Sequence, residues 1–394
     1  MPVPVLTATR LTPERTGWPL LVLGPSLGTS TRLWHECATG LADTHDVVAW
    51  DLPGHGRSAP ATAPFTIAEL AAAVLDLVDR TDGRRGVGRP FRHAGDSVGG
   101  AVGLQLALDA PHRVDAAAVL CSGARIGSAV GWRQRAELVR RSGTSALVEG
   151  SADRWFAPGF LDREPATAAA LLQDLRDADA ESYALVCEAL AALDLTDRLG
   201  AVRPPLLVVS GALDPVAPPE LGRALADGVP AGRLVVLDDV GHLAPAEAPL
   251  RTATVLLGFL AGLQTQEEVH RSGMAVRRAV LGDAHVDRAV AATDETTRDF
   301  QDLITRYAWG SVWTRPGLDR RSRSMITLTA LVAHGHWEEL GLHVRAALRG
   351  GLTRAEIAEV LLQSAVYCGV PAANAAFRTA QEAFASVDDP ERSH

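Results

Sequence analysis

The sequence predicts a chain in two parts: an α/β domain built on a parallel sheet covered by helices, then an all-α domain. Three observations predict this. Between residue 19 and about 263, short runs rich in Val and Leu alternate with amphipathic stretches. Strands buried on both faces read as such consecutive apolar residues. Between 124 and 203 the rhythm breaks into an Ala/Leu/Arg-rich span without a strand-like run, the pattern of an inserted helical cap. Past a polar stretch at 264–272, QTQEEVHRS, the texture stays helical to residue 394.

The elements follow in order. PLLVLGPS (19–26) is a strand entering a loop, and HDVVAWDLPGHG (45–56) is a strand ending in a Gly-rich turn. RPFRHAG (89–95) is a poorer strand, broken by ionisable side chains. VDAAAVLCSG (114–123), PPLLVVSGALD (204–214) and GRLVVLDDVGH (232–242) repeat the strand-then-turn form. PLRTATVLLGFLAGL (249–263) reads as a closing helix and 264–272 as a linker, so the domains span 1–263 and 273–394. In the second domain, LTRAEIAEVLLQSAVYCGV opens with Thr353 and Glu356 at capping-box spacing before apolar residues at helical intervals.

Composition narrows the function. The 394 residues are 47% hydrophobic and carry a net charge of −9 with no basic block, which disfavours a nucleic-acid partner. No apolar run is long enough for a membrane span, and the first residues lack the basic and apolar regions of a signal peptide. The four cysteines, Cys37, Cys121, Cys187 and Cys368, are far apart and read as reduced thiols, so the expected location is the cytoplasm. There is no lysine: all 38 basic residues are arginine. Arginine forms no Schiff base, which excludes lysine imine chemistry and the usual pyridoxal phosphate enzymes.

The stretch HAGDSVGG (93–100) holds two side chains able to attack a substrate, Asp96 and Ser97. A nucleophile placed on a sharp strand-to-helix turn needs very small residues two before and two after it. Centred on Ser97, those positions are Gly95 and Gly99; centred on Asp96, they are Ala94 and Val98, and β-branched valine suits the turn poorly. Ser97 is therefore the predicted nucleophile. Asp214 and His242 follow later strands in the order such a serine requires. His242 would take the Ser97 proton, and Asp214 would hold the imidazole in the right tautomer. Backbone N–H groups of Leu27 and Val98 are the predicted oxyanion donors, while His55 in DLPGHGRS reads as structural.

Several motifs carry a family resemblance. SLGTSTRLW, DLPGHGRS, GDSVGG, RWFAPGF, SGALDPVAP and GHLAPAEAP together resemble the 3-oxoadipate enol-lactonases of the α/β-hydrolase superfamily, across roughly residues 1–263. Asp96 departs from that pattern, in which an apolar residue is expected. VRRAVLGDAHVDRAV and the stretch from FQDLITRYAWG to PAANAAF closely resemble 4-carboxymuconolactone decarboxylases, across 273–384. The wider superfamily includes peroxidase-like members with a CxxC before a histidine; here His336-Trp337-Glu338-Glu339 stands before His343.

The resemblance implies a fused bifunctional enzyme of the protocatechuate branch of the 3-oxoadipate pathway, acting on small lactone carboxylates without metal or organic cofactor. It also implies a homo-oligomer assembled by the C-terminal domain. Decarboxylating 4-carboxymuconolactone needs only an oxyanion stabiliser and a proton donor, because the electrons flow to the lactone carbonyl. His343, with Glu339 one turn before it, is the expected proton-transfer group. Arg306 and Arg320 are candidates for binding carboxylates there, as are Arg133 and Arg154 in the cap, with Trp155 closing that pocket. Tyr367 and Cys368 either line the decarboxylase pocket or form a buried core pair. The rival reading is a general carboxylesterase whose helical domain only oligomerises.

Overall fold

The computed structural model describes residues 3–15, 17–81 and 88–388. The chain divides into two compact units, Met1–Leu263 and Gln264–His394.

The first unit is built on seven strands: β1 (Thr7–Arg10), β2 (Leu20–Gly24), β3 (Asp46–Asp51), β4 (Phe91–Asp96), β5 (Val114–Leu120), β6 (Leu206–Gly211) and β7 (Gly232–Leu237). Their spatial order is β1-β3-β2-β4-β5-β6-β7, with β1 antiparallel to β3 and the other neighbours parallel. β2, β3, β4 and β6 are buried along their whole length, as parallel strands covered on both faces must be. From β2 the chain passes to β3 on one side, then returns to β4 on the other. The loops leaving β2 and β4 therefore face each other across the switch point, where open α/β sheets bind ligands.

Two strands differ from expectation. β1 has the sequence TATR, is only half buried, and offers too little apolar pattern to be read as a strand. Conversely, the poor strand RPFRHAG is central. Arg92 Nη1 bonds His45 Nε2 at 2.9 Å, and His45 Nδ1 meets Thr44 Oγ1 at 2.8 Å. Tertiary pairing thus overrides the weak propensity of FRHAGD.

Between β5 and β6 lie the cap helices Ala129–Ser142, Val148–Trp155, Pro165–Asp177 and Ala180–Ala191, with shorter turns between them. The last helix of the unit is Pro249–Ala261.

The second unit is helical throughout its described residues. The polar stretch at 264–272, read as a linker, is helical from Gln266. Thr265 and Glu268 close a capping box that starts the helix Gln266–Leu281, and its polar residues are the exposed first turn. Thr353 and Glu356 do the same for Arg354–Cys368. Thr305–Val312 forms a π-helix, a rare geometry frequent at functional sites. It lies against Gln266–Leu281 so closely that a Cβ on Gly273 would sit 2.2 Å from the Thr305 carbonyl oxygen. One core joins Leu328, Val332, Leu340, Val344, Ile357 and Leu361; another joins Val276, Val280, Val286, Trp309 and Ala346. Tyr367 is 79% exposed, so it belongs to neither core.

Candidate active site

β4 ends at Asp96 and the helix Val98–Asp109 begins at once, leaving Ser97 to make the whole turn. Its φ of 53° and ψ of −116° lie in a region L-residues avoid. The glycines make the turn possible. A Cβ on Gly95 would lie 2.1 Å from the Gly99 carbonyl oxygen, and one on Gly99 would lie 2.5 Å from the Gly24 carbonyl carbon. The Ser97 N–H donates to Leu120 O at 2.8 Å and Ser122 Oγ donates to Ser97 O at 2.7 Å, which hold the strained residue between β4 and β5.

His242 and Asp214 reach this turn from the loops after β7 and β6. His242 Nε2 is 2.9 Å from Ser97 Oγ, and His242 Nδ1 is 2.8 Å from Asp214 Oδ2. The other Asp214 oxygen accepts the N–H groups of Val216 and Ala217 at 2.8 and 3.0 Å. All three side chains are buried. Leu27 follows β2 and lines the same pocket, and Val98 is the residue after the serine. The arrangement can relay a proton from a serine hydroxyl to the imidazole.

Glu247, which the sequence reading passed over, clamps the histidine loop. Its carboxylate accepts the N–H of Ala157 at 2.7 Å, Gly241 at 3.0 Å and Leu243 at 3.2 Å. The His242 N–H in turn donates to the Trp155 carbonyl at 2.9 Å, which ties the loop to the cap. The only signal in the sequence was an acid one turn past the His242 loop.

Asp96 is fully buried, and among the described residues neither carboxyl oxygen has a hydrogen-bond partner. Burial, then the charges of Asp214 and Glu247, push its pKa well above the carboxylate range. A neutral carboxyl avoids the charge expected to disturb the nucleophile. Cys121 beyond it is likewise pushed up by burial and by Asp96 and Asp214.

The pocket above Ser97 has a volume of about 190 Å³. Trp155 and Arg154 line it, but Arg133 points elsewhere and is exposed. Arg135 takes its place: on the helix Ala129–Ser142, residues 128, 131, 132 and 135 share the pocket face, and a two-residue step leaves it. Arg135 Nε donates to Tyr183 OH at 2.9 Å and its Nη2 to Ser151 Oγ at 3.2 Å. His55 stacks on Tyr183 at 5.9 Å between ring centroids and accepts no proton readily, its pKa pushed down to about 4 by burial. Burial and the Arg135 charge push the Arg154 pKa down. Among the described residues neither arginine has a carboxylate partner.

In the helical unit His343 is half-buried. Burial and then His285 push its pKa down, while Glu339 pushes it up. Glu339 itself is exposed and makes no hydrogen bond to His343. Arg306 pairs with Asp302 at 3.0 Å and Gln266 at 3.1 Å, and Arg320 opens the helix Arg320–His334. Neither is among the charges felt by His343.

A serine on a glycine-flanked strand-to-helix turn, with histidine and aspartate on later loops of a parallel sheet, defines an α/β-hydrolase. The chain belongs to the Alpha/beta hydrolase family, whose model matches residues 21–255, and its residues 298–382 match the Carboxymuconolactone decarboxylase family. The individual relatives divide the same way. The chain is 34% identical over 231 residues to 3-oxoadipate enol-lactonase 2 of Acinetobacter baylyi, covering 59% of this chain and 84% of the relative. It is 43% identical over 118 residues to 4-carboxymuconolactone decarboxylase of the same organism, covering 30% and 88%. Among solved structures, the enol-lactonase from Burkholderia xenovorans LB400 superposes with a TM-score of 0.62 at 33% identity, covering 65% of this chain and 96% of that one. Among the described residues no helix is long and apolar enough to cross a membrane.

Proposed function

We propose that the chain is a cytoplasmic bifunctional enzyme that decarboxylates 4-carboxymuconolactone to 3-oxoadipate enol-lactone and hydrolyses that lactone to 3-oxoadipate. The observation that carries this is the match of each unit to a different enzyme over most of that enzyme's length, the two activities being consecutive. The pocket chemistry supports it: Arg135 and Arg154 line the pocket with Ser97 and have no carboxylate partner among the described residues, as suits a carboxylate-bearing lactone.

In the hydrolase, Ser97 Oγ attacks the lactone carbonyl while His242 Nε2 takes its proton. The Leu27 and Val98 N–H groups hold the tetrahedral oxyanion. Collapse breaks the ring C–O bond, and His242 returns the proton to the leaving enol oxygen. The enol tautomerises to the ketone. Water, deprotonated by His242, then cleaves the acyl-enzyme. Asp214 keeps the imidazole oriented throughout. In the helical unit, loss of carbon dioxide sends two electrons through the ring double bond to the lactone carbonyl, and His343 protonates carbon.

The helical unit also assembles the chain. Leu362, Val366, Tyr367 and Val370 are 56–79% exposed on consecutive helices, more apolar surface than a free helix pair leaves to water. Supplying purified protein with 4-carboxymuconolactone tests the proposal: carbon dioxide and 3-oxoadipate should appear together. Ester hydrolysis without carbon dioxide release would instead favour an esterase carrying an assembly module.

A further inference from the structure

In the helical unit several arginines stand near one another without a carboxylate partner among the described residues. Arg277, on the helix Gln266–Leu281, is only 5% exposed. Its Nη1 donates to Gln301 Oε1 at 3.0 Å and reaches Thr305 Oγ1, in the π-helix, at 3.4 Å. Its buried Nε has no hydrogen-bond partner among the described residues. Arg349 Nη2 donates to the Leu281 carbonyl at 2.7 Å. On Asp283–Ala291 stands His285, which feels the charges of Arg277, Arg288, Arg349 and Arg345. His343 feels His285 in turn. Among the described residues, none of Arg277, Arg288, Arg345 and Arg349 pairs with a carboxylate, whereas neighbouring Arg278 takes both Asp283 and Asp287. Burying a guanidinium such as that of Arg277 without a counter-charge is unfavourable. Such a cluster is sustained where a ligand brings the missing charge.

We infer that Arg277 and His285, with Arg345 and Arg349, form a binding site beside His343 for the carboxylates of a small dianionic dicarboxylate. This rests on the decarboxylase reading above and deepens it. Arg277 and His285 lie before residue 298, outside the span that the decarboxylase family model matches. The site does chemical work as well as binding. Burial and then His285 disfavour a charge on His343. A bound dianion would offset the surrounding positive charge and favour protonation of His343 by solvent, and His343 would pass that proton to the carbon.

The test uses the full chain and follows carbon dioxide release from 4-carboxymuconolactone, with cis,cis-muconate as a dianionic inhibitor and sorbate as its monocarboxylate counterpart. Muconate should inhibit at least about tenfold better than sorbate, and Arg277→Gln, Arg345→Gln and His285→Asn should each raise the KM about 10- to 100-fold, as expected for lost charge-assisted hydrogen bonds. Lactone hydrolysis by the same variants should stay unchanged, which excludes misfolding of the whole chain. Arg345 and Arg349 are accessible, so Arg345→Gln and Arg349→Gln report even where Arg277→Gln fails to fold. Wild-type decarboxylation with unaltered KM in these variants, or equal inhibition by muconate and sorbate, overturns the inference and leaves the decarboxylase reading standing. If wild type releases no carbon dioxide, that reading fails, and calorimetry of muconate on an Arg135→Gln, Arg154→Gln background decides alone. Binding abolished by Arg277→Gln upholds the site, and no binding removes it.

Discussion

Replacing His93 by leucine isolates one buried histidine and makes acid sensitivity a measurable quantity. His93 lies in the central strand β4, 1% exposed, with no hydrogen-bond partner on either ring nitrogen among the described residues. It packs over the elbow helix, where a Cβ on Gly103 would lie 2.5 Å from His93 Nδ1. Burial pushes its pKa from 6.5 down to about 3. The unfolded chain therefore takes up a proton below pH 6.5 that the folded chain refuses until about pH 3, and stability falls with pH through that window. At pH 5.0 this one site costs about 2 kcal/mol, because 1.5 pH units below the unfolded pKa are worth about 1.36 kcal/mol each. At pH 7.5 it costs almost nothing. Leucine also removes two orphaned polar atoms, worth about 1–3 kcal/mol at any pH, less any strain against Gly103. That offset is constant, so the pH-dependent part stands apart from it. Urea unfolding of the hydrolase transition, followed by tryptophan fluorescence at both pH values, should show the stability gain of His93→Leu growing by about 2 kcal/mol from pH 7.5 to 5.0. A gain equal at the two pH values would refute the reasoning, since the imidazole would then be titrating freely in the native state.

Other outcomes follow from the same structure. Arg135→Gln or Arg154→Gln should raise the KM for the enol-lactone about 10- to 100-fold while hydrolysis of a neutral ester changes little, because only the charge-assisted bonds are lost. Asp96→Leu should keep lactone hydrolysis, since Asp96 is not the nucleophile, and should stabilise the protein at pH 7. The raised Asp96 pKa gives stability that is present below the unfolded value of 3.8 and lost as pH rises, so chemical denaturation at pH 7 and pH 4 should show the advantage shrinking in acid. Gly273→Ala should cost the helical unit about 2 kcal/mol or more, because the new methyl meets the Thr305 carbonyl oxygen at 2.2 Å. Calorimetry should show its transition shift while lactone hydrolysis survives.

Much of the hydrolase was legible because its physics is local. Strands buried on both faces print as apolar runs, and the elbow prints its glycines two residues either side of Ser97. The acid and base follow in sequence order, so their meeting at 2.8 and 2.9 Å needed no long-range information beyond the fold. What was hidden depends on packing. FRHAGD is a strand because β2 and β5 flank it, not because of its residues. Arg135 rather than Arg133 enters the pocket because of the helix phase, which the cap's polar composition conceals. The helix over the supposed linker begins with a capping box that polar composition disguised. In the helical unit, Arg277 and His285 were missed although they lie in a stretch whose resemblance was plain. Their signal is the absence of an acidic partner, which appears only once the helices are packed. Tyr367 reads from the sequence as pocket lining or as half of a core pair, yet it is 79% exposed.

The most direct test of two sites acting in series is Ser97→Ala supplied with 4-carboxymuconolactone and followed by NMR. Wild type should give 3-oxoadipate, while the variant should release carbon dioxide at the wild-type rate and accumulate the enol-lactone. A variant that still makes 3-oxoadipate as fast as wild type, or a wild type that releases no carbon dioxide, would contradict the account.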